Sequence, residues 1–193
     1  MRIIGGQYKG RAIDPPRNLR ARPTTDFAKE NLFNVLTNLV DFEACDVLDL
    51  FAGTGSISYE FASRGARSVT AVEINAVHHA FIRRTARQLG IENLYAVKAN
   101  VFLYLKACPK QFDLVFSDAP YDLAGSEEVI HALFGTDPAA AGNGPSSGLL
   151  REGGLLIFEH SKGKDFSNHP CFWQQRSYGS VQFSFFRRPA EGE

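Results

Sequence analysis

Val47-Leu48-Asp49-Leu50-Phe51-Ala52-Gly53-Thr54-Gly55 is the stretch whose reading decides the fold. Val47 to Phe51 is a short apolar run of the kind that forms a buried strand. It stops at a turn with two glycines, and Ser58 to Arg64 then has helical character and stops at Gly65. A strand, a glycine turn and a helix make the first unit of an α/β sheet. The glycines let a ligand approach the backbone, and the N-terminus of the next helix offers N–H groups without intrahelical partners.

The same alternation continues outward. Val69 to Ile74 reads as a second strand, 76–89 as a helix closed by Gly90, and Leu94 to Lys98 as a third strand. Phe112 to Phe116 is a fourth, followed by Ser117-Asp118-Ala119-Pro120-Tyr121. A helix over 127–134 precedes a fifth apolar run, Leu155 to Phe158. Strands that alternate with helices imply right-handed parallel crossovers, hence an open, mostly parallel sheet with helices on both faces. Upstream, Thr25 or Asp26 can cap a helix carrying Leu32, Phe33, Leu36, Leu39 and Val40. Residues 135–148 (GTDPAAAGNGPSSG) have no periodicity and read as a loop. The tail from Trp173 to Arg188 alternates around Tyr178-Gly179-Ser180, as an antiparallel hairpin does.

The chain has 193 residues, enough for one domain that buries roughly 70% of its unfolded surface without disulfide or metal. Its 44% hydrophobic and 22% charged residues are ordinary for a globular protein. Cys45, Cys108 and Cys171 show no CxxC pairing, and adjacent His78 and His79 cannot share a helical face, so no metal is expected. The start, MRIIGGQYKG, lacks an apolar h-region, and no segment approaches a membrane span; a cytoplasmic protein without membrane contact is expected.

Lysine plus arginine equals aspartate plus glutamate at 21 each. That balance hides an uneven distribution. Arg2, Lys9, Arg11, Arg17, Arg20 and Arg22 stand against Asp14 alone over residues 1–22, so an excess of five positive charges there offsets an equal negative excess in the rest. Residues 1–24 therefore read as a basic extension suited to phosphates, and 25–193 as the α/β domain. Arg83, Arg84 and Arg87 can extend a basic face or form an ordinary solvated helix surface.

Two constellations carry chemistry. Glu73 lies 20 residues past Gly53 at the tip of the second strand, where a carboxylate can accept both hydroxyls of a ribose. A dinucleotide fingerprint needs a third glycine or alanine where this chain has Ser58. Asp49 precedes the turn, where it would repel a pyrophosphate and favour a cationic sulfonium or amino group. The pair thus favours S-adenosylmethionine over NAD. Beyond the fourth strand, Asp118 and the Ala119 carbonyl can accept the hydrogens of a planar exocyclic amine, and Tyr121 can stack on the ring that bears it. Holding that amine in line with a methyl sulfonium supplies catalysis by positioning. His160, in Glu159-His160-Ser161, is read as structural.

These residues resemble the RsmD family, bacterial methyltransferases of the guanine N2 amine in 16S ribosomal RNA. The resemblance rests on RIIGGxxKGR (2–11), Arg22-Pro23-Thr24, the helix carrying Leu32-Phe33-Asn34, LDLFAGTGS (48–56), Ser63-Arg64-Gly65-Ala66, the Asp-x-Pro-Tyr motif, and Gly153 to Ile157 with Glu159. It implies a class I S-adenosylmethionine-dependent methyltransferase, Rossmann-like, with the cofactor against Asp49, Phe51, Gly53, Gly55, Glu73, Ile74, Asn100 and Val101. It further implies a guanine held by Asp118, Ala119, Pro120 and Tyr121. Arg2, Lys9, Arg11, Arg22 and Thr24 would contact 16S rRNA within the small ribosomal subunit, and a monomer is expected. Two positions depart from the family pattern: Ala119 stands where a first proline is usual, and Asn100 where an acid usually meets adenine. Methylation of adenine N6 or of a protein glutamine amide, and a non-catalytic RNA-binding module, are the alternatives. The first two leave the N-terminal segment unexplained, and the third has no need of Glu73 and Asp118.

Overall fold

The computed structural model describes residues 1–15, 25–121, 123, 125, 127–135 and 148–190. Arg17, Arg20, Arg22, Pro23 and Thr24, and most of the 135–148 segment, lie outside the described residues.

Seven strands form one sheet: β1 (Asp46–Leu50), β2 (Ser68–Glu73), β3 (Leu94–Lys98), β4 (Phe112–Ser117), β5 (Leu150–His160), β6 (Phe172–Tyr178) and β7 (Val181–Arg187). Their order is β3-β2-β1-β4-β5-β7-β6. The first five pair in parallel, and β7 inserts antiparallel between β5 and β6. The helices are α1 (Asp26–Thr37), α2 (Ser56–Ser63), α3 (Ala76–Leu89), α4 (Val101–Ala107) and α5 (Glu128–Phe134). Residues of α1, α2 and α3 share one apolar cluster with Val47, Leu114, Phe116, Ile157 and Phe185. Residues of α4 and α5 share the other with Leu48, Leu50, Val115, Leu156 and Phe158. Alternate residues of β1 (Val47 against Leu48 and Leu50) and of the core of β5 (Ile157 against Leu156 and Phe158) thus serve opposite layers, as the two-residue period of a strand requires.

Local signals explain most boundaries. Thr25 caps α1 through its hydroxyl, which accepts from Ala28 N. Gly90 closes α3 in the left-handed conformation. The helix α1 stops at Thr37, so Leu39 lies beyond it and is exposed rather than on its apolar face. The short helix α4 was not among the sequence expectations. Asn100 caps it, its Oδ1 accepting from Leu103 N at 3.2 Å. The strand β5 runs longer than its apolar core because Leu150 pairs with Phe112 across a register shift.

Residues 1–13 fold back on themselves and dock on the domain. Ile3 and Ile13 are buried in the α1–α3 cluster, and Arg2 bridges Ala12. Beneath them lies a fully buried ion pair, Lys29 Nζ to Glu60 Oε1 at 3.4 Å. Glu60 accepts from Ile4 N at 2.5 Å and Gly5 N at 3.3 Å, while Lys29 donates to the Arg2 carbonyl at 2.7 Å. Gly6 sits at φ +76°, and a Cβ there would lie 1.9 Å from the Ser63 carbonyl oxygen. The glycine pair of RIIGG therefore permits close contact with the end of α2.

The amino ends of the central strands carry a compact charge network. Asp46 accepts from Arg67 at 2.8 Å, Arg151 at 3.1 Å and Ser68, with Lys110 Nζ at 3.3 Å. Asp113 takes Arg151 at 2.5 Å and Asp46 N at 2.7 Å. Among the described residues no helix is long and apolar enough to cross a membrane.

Candidate active site

The strand order reverses between β1 and β4, which opens a crevice at their carboxyl ends. Both constellations meet there. Leu50 pairs with Ser117, and Asp118 N lies 3.5 Å from the Leu50 carbonyl oxygen. The glycine turn after β1 and the Asp118–Tyr121 segment after β4 are therefore neighbours.

The turn is conformationally demanding. Phe51 has φ +59°, a left-handed value that costs a non-glycine residue of order 1–3 kcal/mol and concentrates at functional sites. Gly55 has φ +81°, and a Cβ there would lie 3.0 Å from Ile82 and Tyr59. Gly53 N donates to Glu73 Oε2 at 2.7 Å, and Asn75 N donates to Glu73 Oε1 at 2.8 Å. Glu73 thus ties the tip of β2 to the turn after β1. A carboxylate has about four acceptor directions, so capacity remains for ribose hydroxyls.

Asp49 is only 2% exposed and accepts from the Ser58 hydroxyl. Burial, with Glu73 adding to it, pushes its carboxyl up to about 7 in spite of the Ser58 hydrogen bonds. Among the described residues no lysine or arginine pairs with it. A buried acid without a resident cation fits a ligand that brings one. Ser58, which stands where a dinucleotide fingerprint has glycine or alanine, is the residue that holds Asp49.

Ile74 is 60% exposed and Leu103 also faces solvent, unusual for large aliphatic side chains and suited to the faces of a purine. Val101 is buried at the start of α4. Asn100 spends one lone pair of Oδ1 on Leu103 N and keeps a second for an adenine amine. Ala119 is buried, Pro120 is exposed, and Tyr121 is 37% exposed with its hydroxyl 3.5 Å from Glu159 Oε1. Glu159 is 4% exposed. That link joins residues 38 apart and had no local sequence signal beyond the proximity of two strand ends.

His160 is structural. Its Nδ1 donates to the Ser161 carbonyl at 2.8 Å, its Nε2 meets the Ser184 hydroxyl at 2.8 Å, and Phe158 and Phe166 pack on the ring. Burial lowers its pKa, so the ring is neutral near pH 7. Burial pushes the Cys45 thiol up to about 11, far from a nucleophile's range. Arg2, Lys9 and Arg11 are exposed. Arg83, Arg84 and Arg87 are exposed on α3, with Arg84 5.5 Å from the Phe81 ring. Among the described residues no group of three or more histidine, cysteine, aspartate or glutamate side chains is arranged to hold a metal ion.

A seven-stranded sheet in this order, with a glycine turn and buried acids at the switch point, has the Rossmann-like architecture of the S-adenosylmethionine-dependent methyltransferases. Within that class the chain belongs to the family described as conserved hypothetical protein 95, whose sequence model matches residues 1–187. It is 31% identical over 197 aligned positions to ribosomal RNA small subunit methyltransferase D of Escherichia coli K12, which covers 100% of this chain and 92% of the relative. The structure of a putative methyltransferase, yhhF, from Escherichia coli superposes with a TM-score of 0.80 at 28% identity over 99% of both chains. An RNA methyltransferase from Salinibacter ruber, solved with S-adenosyl-L-homocysteine, shares the fold at a TM-score of 0.63 and 14% identity, covering 89% of this chain and 96% of its own.

Proposed function

We propose that this protein methylates the exocyclic N2 amine of a guanine in 16S rRNA of the small ribosomal subunit. The observation that carries the reading is the shared crevice: the Asp49–Gly55 turn with Glu73, and the Asp118–Tyr121 segment, stand side by side at the strand reversal. The full-length likeness to a small-subunit rRNA methyltransferase supports the substrate.

In this reading Asp49 faces the cationic end of the cofactor, Phe51, Gly53 and Gly55 line its path, and Glu73 takes the ribose. Ile74, Asn100 and Val101 surround the adenine. S-adenosylmethionine supplies an electrophilic methyl group at the crevice. Asp118 and the Ala119 carbonyl accept the two amine hydrogens and aim the nitrogen lone pair, while Pro120 biases Ala119 toward an extended conformation. Tyr121 stacks on a guanine swung out of its helix, because a paired amine cannot reach a buried methyl donor. Asp118 orients the amine rather than acting as a strong base, and no cysteine is required.

Residues 1–24 form the RNA-gripping extension, with Arg2, Lys9, Arg11, Arg22 and Thr24 on phosphates; the exposure of Arg2, Lys9 and Arg11 supports this. The enzyme acts as a cytoplasmic monomer without a metal. The test is tritium transfer from labelled S-adenosylmethionine to small-subunit particles and to naked rRNA, with the modified base mapped. Label on guanine N2 is expected. Label on an adenine, or on ribosomal protein alone, rejects the assignment.

A further inference from the structure

Glu159 lies outside the cofactor turn and outside the Asp118–Tyr121 segment, yet the fold delivers it to the same place. Ser117 of β4 pairs with Phe158 of β5, so Asp118 and Glu159 are the next residues along two neighbouring parallel strands, whose backbones run about 4.8 Å apart. Alternation along β5 places Ile157 in the α1–α3 layer and Phe158 in the other, which returns Glu159 to the α1–α3 side. Asp49 shares that side through Val47. The Glu159 carboxyl is almost fully buried, and the Tyr121 hydroxyl approaches its Oε1 at 3.5 Å. Burying a carboxylate at a strand end, against the loop that holds the substrate, is costly unless polar groups meet it.

The geometry points to Glu159 as the residue that selects guanine, by accepting the ring N1–H while Asp118 and the Ala119 carbonyl accept the N2 amine. This deepens the guanine-N2 reading and rests on it. The argument is one of donor pattern. Guanine alone among the four bases presents an amine and a ring N–H side by side on its Watson–Crick edge. Adenine and cytosine place a bare ring nitrogen beside the amine, an acceptor that would face the Glu159 carboxylate with no hydrogen between them. A glutamine amide has no neighbouring ring N–H. Guanine therefore offers a hydrogen to each of two adjacent acceptors, whereas adenine and cytosine turn a ring lone pair toward the Glu159 carboxylate and a glutamine amide offers it nothing. A site built to hydrogen-bond one group rejects analogues lacking it more strongly than an apolar pocket can. Tyr121 then has two tasks: its ring stacks on the base and its hydroxyl helps to hold the carboxylate that reads it.

The test replaces the mapped guanine in the RNA by 2-aminopurine, which keeps the N2 amine but has an unprotonated N1. Wild-type enzyme should prefer guanine by roughly 10- to 100-fold in kcat/KM, the worth of a hydrogen bond to a charged group. Glu159→Gln can donate from its amide to the bare N1, so the preference should narrow to about threefold or less by loss of that charged bond. Tyr121→Phe keeps the stacking ring and loses the hydroxyl that helps to hold Glu159, so it should narrow the preference by less than Glu159→Gln does, which separates reading of the base from support of the reader. Melting temperature and S-adenosylmethionine affinity of each variant check that the fold is intact. Equal use of both RNAs by the wild type overturns the inference without needing any variant, and so does an unchanged preference in Glu159→Gln. Failure of the guanine RNA itself to be methylated overturns the broader reading instead.

Discussion

Asp46 and Asp49 belong to the same strand and both are buried, yet the two ends of the sheet treat them in opposite ways. At the amino end, burial alone would raise the Asp46 carboxyl. Hydrogen bonds from Arg67, Ser68, Arg151 and Lys110 outweigh it and hold the group well below the usual carboxylate range. At the carboxyl end, Asp49 has a serine hydroxyl instead of a cation, and burial wins, pushing it up to about 7. The amino end is electrostatically complete, whereas at the carboxyl end no lysine or arginine among the described residues pairs with Asp49. Perturbed acids occur both in structural ion-pair networks and at functional sites, and one strand holds a cation-compensated acid at one end and an uncompensated one at the other.

The comparison can be broken most decisively at Asp118. Asp118→Ala should lower methylation by about 1,000-fold or more while leaving S-adenosylmethionine affinity nearly unchanged, as expected for a group that acts on the amine. Turnover near wild type, measured by tritium transfer, would remove the carboxyl end from the chemistry.

The same substitution at the two aspartates should have opposite signs. Asp46→Asn leaves Arg67, Lys110 and Arg151 crowded without their shared anion and should cost about 1–3 kcal/mol of stability by denaturant titration. Asp49→Asn should raise the melting temperature at pH 8, because it removes a buried negative charge. It should also weaken S-adenosylmethionine binding by about 10- to 100-fold in calorimetry. A loss of stability from both changes would mean that the two ends are not distinct.

Titration sharpens the contrast. Asp49 binds a proton in the folded state up to about pH 7, whereas in the unfolded chain it releases it near pH 4. Folding stability from this group therefore falls as pH rises between those values, and Asp49→Asn should flatten that slope. Asp46 does the reverse: its contribution is present above about pH 4 and is lost as pH falls through its depressed folded value. Cofactor binding should release a proton below pH 7 in the wild type and not in Asp49→Asn, as buffers of different ionisation enthalpy would show.

The smallest effect concerns the N-terminal segment. Neutralising Arg2, Lys9 and Arg11 should weaken RNA binding several-fold and lower its salt slope by about one unit per lost phosphate contact, with cofactor affinity unchanged. Adding Arg22→Gln should deepen the effect. The glycines and the Lys29–Glu60 pair beneath this segment serve docking, and Glu60→Gln should instead destabilise the fold by about 3–5 kcal/mol by stranding a buried lysine.

Much of this architecture is local information. The glycine that closes α3, the threonine that caps α1, the apolar runs of β1 to β4 and the alternating tail are each written in adjacent residues, so they and the parallel sheet could be read directly. So could the acid–turn–acid spacing of Asp49, Gly53 and Glu73 and the Asp-x-Pro-Tyr motif. The helix α4 is not legible in the sequence because seven residues carry too little periodicity, and its cap, Asn100, is a residue type equally suited to a ligand contact.

Tertiary structure alone decided the rest, because it concerns groups far apart in sequence. Composition could not show that Lys29 and Glu60 neutralise each other under residues 2–5, or that Ser58 holds Asp49. Nor could it show that Tyr121 reaches Glu159 across two strands. The sequence by itself determined the succession of the strands and of every helix but α4, and the identity of the acids, because those follow from short-range pattern and chemistry. Which acids are neutralised, as Asp46 is, and which gain no cation, as with Asp49, depended on how parallel strands align their ends, and only the packed sheet sets that alignment.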